Sequence, residues 1–483
     1  MRENSPWLWL VMRMAGEDDC ACSNPLVKVS DGLDVDCACS MPSQKAVLAK
    51  GCRKWRRTAP LEVMPLPGKY RLVWGGPHVW PVLLNPAGWE HLNRFDRPHA
   101  ITLPFERALA ATGLIVPEAD ASCPPAQPRP QTLTLWLHVT NACDLDCSYC
   151  YVNKTPASLS FEQGIHVLRY ALETARAGGF EGVKVKYAGG EPSLLFRRVQ
   201  RWHRWLETEA AHYGLAVQGL LLTNGMRLSQ EHARWLKEHA VQVMVSLDGI
   251  GAVHDRLRVH RHRHSTFSAV EHTVDRVLLP MGLRPTISMT LTRLNVHHAP
   301  EVARWAVVER GLPLSFNFYR GVRPEVDDDL RPDATQLIEY LGAAYRVLEA
   351  ALPIWPFTGG LLDRVRLFPH RRTCGVGEGY LVVRHTGDVA ACHMLLDQPV
   401  AVTPSITALH RAGQQVHNLP VEEKECAGCS FAALCSGGCP LETYHRSRRW
   451  DARSPYCEVY RALLPRLLRL EGLRLLKAHG MLS

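Results

Sequence analysis

The sequence predicts an α/β protein organised around a parallel sheet, and three observations carry that prediction. Between Leu133 and about Arg320, short apolar strand patterns alternate with amphipathic helical patterns six times, the signature of parallel strands joined by right-handed crossovers. Motifs able to do chemistry fall just after the strand patterns, where parallel barrels gather their functional groups. Cysteine arrays stand at the first of these strand ends and again beyond the last unit. Six units are too few to close an eightfold barrel, so a partial (β/α)6 barrel is expected.

The strand patterns are Leu133–Thr140, Gly182–Ala188, Leu215–Thr223, Val241–Ser246, Arg284–Thr290 and Pro313–Phe318. Helical spacing lies between them, as in Phe161–Ala177 and Ser229–His239. Upstream, Tyr70 to Trp74 and His78 to Leu84 alternate as strands around Gly75-Gly76-Pro77, and Pro86 to Phe95 and Phe105 to Thr112 carry helical spacing. Residues 63–120 therefore read as a small α+β unit. Residues 121–131, with four prolines, read as a stiff linker in which Cys123 is a bystander. Residues 132–325 form the expected barrel, 326–373 a helical connector over Asp333 to Ala351, 374–460 a cysteine-rich domain, and 461–483 an amphipathic basic helix expected to pack on it. Residues 1–62 read as irregular.

Bulk properties narrow the function. A chain of 483 residues holds two or three domains with ample cores, and a formal charge of +9 permits an acidic partner without calling for nucleic acid. Sixteen cysteines in a large chain without a secretory signal read as metal or redox ligands rather than disulfides. The apolar patch from Pro6 to Met12 is too short to span a membrane. A reducing, cytoplasmic setting with no membrane association is expected.

The first cysteine array is Cys143-Asp-Leu-Asp-Cys147-Ser-Tyr-Cys150. Three thiolates on one loop can hold three irons of a [4Fe–4S] cluster and leave the fourth iron open. A zinc knuckle or three buried free cysteines are the alternatives. Zinc would want a fourth ligand, and no further Cys or His lies between Thr140 and Ser160.

This CxxxCxxC spacing, with Tyr149 before the last cysteine, is similar to the signature of radical S-adenosylmethionine (SAM) enzymes. The resemblance implies that SAM chelates the open iron and is cleaved to a 5′-deoxyadenosyl radical that abstracts hydrogen from carbon. It also implies the partial, TIM-like barrel. Gly189-Gly190-Glu191-Pro192, after the second strand, resembles the family's GGEP motif, which holds the SAM amine. Ser246-Leu-Asp-Gly249, then His254-Asp255 and Arg258, resembles the subgroup of anaerobic sulfatase-maturing enzymes and peptide maturases, in which the positions of Ser246 and Arg258 contact SAM. Arg258 suits a carboxylate through a bidentate pair. Asp248 and His254 read equally well as caps of a turn and a helix, and Thr223-Asn224-Gly225 as a structural turn. The basic run from Arg256 to His264 is a solvated loop or a lip for an acidic peptide. No aromatic interleaves it, so RNA or DNA binding is not expected.

The second array resembles the seven-cysteine SPASM domain: Cys374, twelve residues, Gly387, four residues, Cys392, then Cys426-x2-Cys429-x5-Cys435-x3-Cys439 and Cys457. Zinc is the chemical rival here, since Cys426, Cys429, Cys435 and Cys439 could pass as a zinc ribbon. By resemblance, Cys426, Cys429, Cys435 and Cys457 close one auxiliary [4Fe–4S] cluster, and Cys374, Cys392 and Cys439 hold another. Two positions depart from the sulfatase-maturing pattern. Tyr380 stands where those relatives have a further cysteine, and His393 where they have a catalytic Asp base. A histidine could still accept a proton there. Residues 63–120 weakly resemble the winged-helix element that grips leader peptides by strand addition.

The resemblance thus implies an enzyme with three [4Fe–4S] clusters and SAM that modifies a peptide or small protein bearing a leader. An electron donor such as flavodoxin or ferredoxin is expected, and a cysteine-to-carbon thioether is the expected product. Formylglycine formation, a carbon–carbon cross-link or a non-catalytic metal-binding scaffold are the alternatives. One oddity remains: Asp19-Cys20-Ala21-Cys22-Ser23-Asn24-Pro25 recurs as Asp36-Cys37-Ala38-Cys39-Ser40-Met41-Pro42. It reads as a peptide substrate fused to its own enzyme, as a metal-binding tail, or as sequence ahead of a true start near Met64.

Overall fold

The computed structural model describes residues 8–10, 54–118 without Pro77, 131–321 without Arg263, and 329–482 without Ile354 and Thr358. The Cys20–Cys39 repeat and nearly all of the proline-rich linker lie outside the described residues.

The N-terminal unit contains β1 (Leu8–Leu10), β2 (Trp55–Arg57), β3 (Glu62–Pro65), β4 (Arg71–Gly75), β5 (Val79–Leu84) and β6 (Ile115–Pro117), with helices Pro86–Asn93 and Pro104–Ala111 between the last two. Four strands form one sheet in the order β1-β5-β4-β3, and β2 pairs with β6. Strands β1 and β2 fall in the stretch expected to be irregular. Neither pairing is local, so strand alternation alone could not reveal them.

The central sheet begins with β7 (Thr132–Thr140) and continues through β8 (Gly182–Gly189), β9 (Ala216–Thr223), β10 (Gln242–Ser246), β11 (Thr286–Leu291) and β12 (Leu314–Phe318). All six run parallel in sequence order, as the alternating pattern requires. The helices start and stop where local chemistry dictates. Ser160 and Gln163 cap Phe161–Ala177 reciprocally, and Gly214, at φ 68°, ends Phe196–Tyr213. These two helices touch so closely that a Cβ on Gly164 would lie 2.1 Å from the Trp202 ring.

The sheet does not stop at the barrel. Strand β13 (Tyr380–Val383) pairs parallel with β7, and β14 (Val389–Ala390) and β15 (Pro399–Ala401) follow it antiparallel. The cysteine-rich region is thereby fastened to the strand that leads into the first cysteine loop. The last helix, Cys457–Ala478, starts on a cysteine and buries Leu463, Leu464, Leu467 and Leu468 in the main core, about 2 kcal/mol each. It packs on Ala334–Ala351 and, at Gly472, against Leu66 of the N-terminal unit, rather than only on the cysteine-rich domain as expected. Among the described residues no helix is long and apolar enough to cross a membrane.

Candidate active site

The loop after β7 carries Cys143, Cys147 and Cys150, and three neighbouring segments hold it. Gly190 N–H donates to the Thr140 carbonyl across 2.7 Å and Glu191 N–H to that of Ala142 across 2.8 Å. A Cβ on Gly190 would come within 2.3 Å of the Ala142 oxygen, so only glycine allows this approach. The glycines expected to admit a ligand therefore also admit the cysteine loop itself. From a second side, Asn224 Nδ2 and Arg227 Nε each donate to Asp144 at 2.7 Å. From a third, the backbone of the basic run lies along the loop: Asp146 N–H donates to Val259 and Ser148 N–H to Leu257, and Leu145 bridges His260. That run straps the cysteine loop, a role its charge did not announce.

Glu191 is fully buried, and its carboxylate accepts from Ser193 N–H, Thr223 Oγ1 and Asn224 N–H at 2.6–2.9 Å. Burial raises its carboxyl, against the pull of those donors. It ties the ends of β8 and β9 together while also lining the cavity.

Asp248 is the hub of the next wall. Its Oδ2 accepts from Arg258 Nε at 2.6 Å and from the Tyr149 hydroxyl, and its Oδ1 from Thr290 N–H at 2.8 Å. Arg258 is thereby aimed with a terminal nitrogen 4.0 Å from Cys147 Sγ. His254 accepts the Asp248 N–H through Nδ1, and burial, then Arg258, pushes its pKa down to about 4. Asp248 and His254 are thus positioning groups, close to the capping alternative but aimed at Arg258.

These walls enclose one cavity of about 420 Å³. Cys143, Cys147, Cys150, Gly189, Gly190, Glu191, Ser246 and Arg258 all line it, as do the strand-end side chains Ser288, Thr290, Ser315 and Asn317. The far side is cationic: Lys186, Arg320, Arg364 and Arg366, with His393. Arg320 is paired with Asp363 at 2.5 Å. None of these arginines carries a motif, so spacing alone could not single them out.

His393 stacks on Trp136, with ring centroids 4.6 Å apart, and its Nδ1 lies 3.2 Å from the Tyr380 hydroxyl. Burial, then Arg364 and Arg320, holds its pKa well below the ordinary value. That environment keeps the ring neutral and makes it a weaker base than an exposed histidine.

The remaining cysteines fall into two groups. Cys374, Cys392 and Cys439 pack against one apolar cluster behind His393. Cys426, Cys429, Cys435 and Cys457 line a separate small cavity. Lys424, buried and donating to the Ser436 carbonyl at 2.7 Å, feels cysteines of both groups; burial lowers its pKa and their thiolates would raise it. Burial pushes the Cys143, Cys392 and Cys435 thiols up to about 12, so thiolate formation there needs a cationic partner.

With this geometry in hand, the sequence profile of the Radical SAM superfamily matches residues 137–306. Residues 137–306 are a radical SAM domain. The matched stretch runs from β7, through the cysteine loop and the Gly190 turn, past Arg258. Over 339 residues it is 24% identical to the serine-type anaerobic sulfatase-maturating enzyme of Klebsiella aerogenes, covering 62% of this chain and 77% of that protein. Over 344 residues it is 24% identical to the PqqA peptide cyclase of Rhodopseudomonas palustris, covering 68% and 87%. The fold matches the solved structure described as "Native anSMEcpe with bound AdoMet and Cp18Cys peptide" with a TM-score of 0.57 at 18% identity, covering 70% of this chain and 99% of that one.

Proposed function

We propose that this radical SAM enzyme modifies a cysteine-containing peptide, joining a cysteine sulfur to a carbon of a nearby residue. One observation carries the reading. A single cavity is lined by the Cys143 loop, Ser246 and Arg258, and also by Trp136 and Met394, which pack against the same apolar cluster as Cys374, Cys392 and Cys439. The resemblance of the two named relatives, one a maturase and one a peptide cyclase, supports a peptide or protein substrate.

The donor sets fit iron–sulfur clusters: three convergent thiols beside a glycine cradle, a group of four around their own cavity, and a further group of three. Among the described residues no three His, Cys, Asp or Glu side chains are placed to hold a single metal ion. Cys143, Cys147 and Cys150 would hold a four-iron cluster, which would supply the electron for reductive cleavage of SAM. The protein orients and shields. Arg258, fixed by Asp248, would meet the SAM carboxylate. Gly189, Gly190 and Ser246 shape the space beside it, and Glu191 holds the turn in place. Trp136, Tyr151 and Phe316 give the cavity an aromatic lining.

The test is iron, sulfide and 5′-deoxyadenosine analysis of anaerobically reconstituted protein. About twelve irons per chain are expected from three four-iron clusters, with SAM cleavage that Cys147→Ala abolishes. Zinc in the C-terminal cysteines would remove the sulfur-to-carbon reading and leave a plainer SAM-cleaving enzyme. Formylglycine formation is the second reading, favoured by the similarity to the Klebsiella enzyme, and Tyr380 and His393 weigh against it.

A further inference from the structure

Strand β1 is an unusual edge. Leu8–Leu10 pairs antiparallel with β5, Leu8 opposite Leu84 and Leu10 opposite Val82, and completes a sheet whose other members all lie beyond residue 61. Strand β5 is buried along its whole length, and an uncovered edge of that kind recruits an extended segment. The segment it recruits is this chain's own N-terminus. Immediately downstream come the two Asp-Cys-Ala-Cys-Ser motifs, at Asp19 and Asp36.

The cavity is complementary to those motifs. Arg364 lines it from a left-handed backbone conformation, φ 60°, and its Nε is buried with no hydrogen-bond partner among the described residues. The neighbouring carboxylate, Asp363, is engaged by Arg320. Carboxylate recognition would fit that wall, and each motif sets an aspartate directly before its first cysteine. The cysteine group beside the cavity has three members, one fewer than the group at Cys426, Cys429, Cys435 and Cys457, and were it to hold a four-iron cluster a substrate thiol would supply the fourth ligand.

The sequence separation sets how far each motif can reach from the docked strand. An extended backbone spans about 3.3 Å per residue, which gives about 30 Å from Leu10 to Asp19 and about 85 Å to Asp36. Docking one end raises the effective concentration of the other at the cavity.

We propose that residues 1–45 are a precursor peptide carried on its own modifying enzyme, with Leu8–Leu10 as the docking strand and the two Asp-Cys-Ala-Cys-Ser motifs as the stretch that is modified. The inference rests on the peptide-modifying reading above. For a thioether the balance closes with SAM as oxidant: a C–H and an S–H bond break and a C–S bond forms. SAM becomes methionine and 5′-deoxyadenosine, one proton is released, and the electron that starts cleavage is recovered.

The experiment uses the full chain, reconstituted anaerobically with iron and sulfide, supplied with SAM and dithionite, then digested for mass spectrometry. Fragments with Cys20 and Cys22, or Cys37 and Cys39, should lose two hydrogens per cross-link and lose reactivity to iodoacetamide, in step with 5′-deoxyadenosine release. Trp9→Pro, which puts a strand breaker at the centre of β1, should lower modification per SAM cleaved at least about tenfold. In metal-free protein it should also speed hydrogen exchange within Val79–Leu84, a readout independent of catalysis. Unmodified fragments with four free thiols in a chain that cleaves SAM would overturn the proposal. So would a fall in bound metal on replacing the four cysteines by alanine without any mass change in the parent, the behaviour of a metal-binding tail. A chain that cleaves no SAM brings down the enzymatic reading instead, and the exchange result still decides the docking strand.

Discussion

Arg258 Nε donates to Asp248 Oδ2 across 2.6 Å, with only 11% and 0% of the two side chains exposed. Removing one partner of such a pair leaves a buried charge uncompensated, a loss of about 3–5 kcal/mol. Asp248→Asn keeps the shape and removes the charge. It should lower stability by about 3 kcal/mol and raise KM for SAM more than it lowers kcat, because Arg258 loses its aim. Urea unfolding and 5′-deoxyadenosine kinetics check both, and an unchanged KM would deny Asp248 its positioning role.

Gly190→Ala should separate the Cys143 loop from the end of β8, since its Cβ would meet the Ala142 oxygen at 2.3 Å. The reconstituted variant should lose about four irons per chain and its SAM cleavage, with iron at the C-terminal cysteines retained. Full iron content would show that the loop tolerates the displacement.

Cys429→Ala should remove iron from the four-cysteine group and leave the Cys143 site able to cleave SAM, because the two lie in different cavities. Cleavage without product is the expected signature, read as 5′-deoxyadenosine formed with no mass change in the peptide. Wild-type product yield would exclude that group from the reaction.

His254 sets a pH dependence. Its Nδ1 accepts the Asp248 N–H, which requires the neutral ring, and burial lowers its pKa from 6.5 to about 4. Between those values the unfolded chain binds a proton that the folded chain refuses, so stability falls as pH drops from 6.5 towards 4. At pH 5 the loss relative to pH 7 is about 2 kcal/mol from this residue. His254→Asn should flatten that part of the curve in urea titrations of the metal-free protein. A variant with the wild-type slope would assign the acid loss elsewhere.

Tyr380→Cys would set a fourth thiol beside Cys374 and Cys392, where the tyrosine hydroxyl now faces His393 Nδ1. It should leave SAM cleavage intact and suppress sulfur-to-carbon product by closing the place for a substrate thiol. Undiminished product would separate that cysteine group from substrate binding.

Much of this was legible in the sequence because it is local. Cysteine spacing reports what one loop can bring to one centre. The apolar alternation located all six parallel strands of the barrel to within two residues, and Ser160, Ser229 and Asp333 cap the helices their patterns announced. The barrel and the ten cysteines of the three groups were decided at that level. Tertiary structure alone decided how those parts face each other. Asp248 became the anchor of Arg258 because β10 and β11 bring Thr290 N–H to it, and the basic run became a strap because its backbone meets Leu145 across more than a hundred residues. Strand β13 joined β7, and Leu8–Leu10 joined β5, through backbone hydrogen bonds that no side-chain pattern encodes. Arg364 entered the cavity through a left-handed turn at an otherwise ordinary position. Such relationships depend on which distant groups fold together, and a linear pattern carries the periodicity of each element but not the identity of its neighbour.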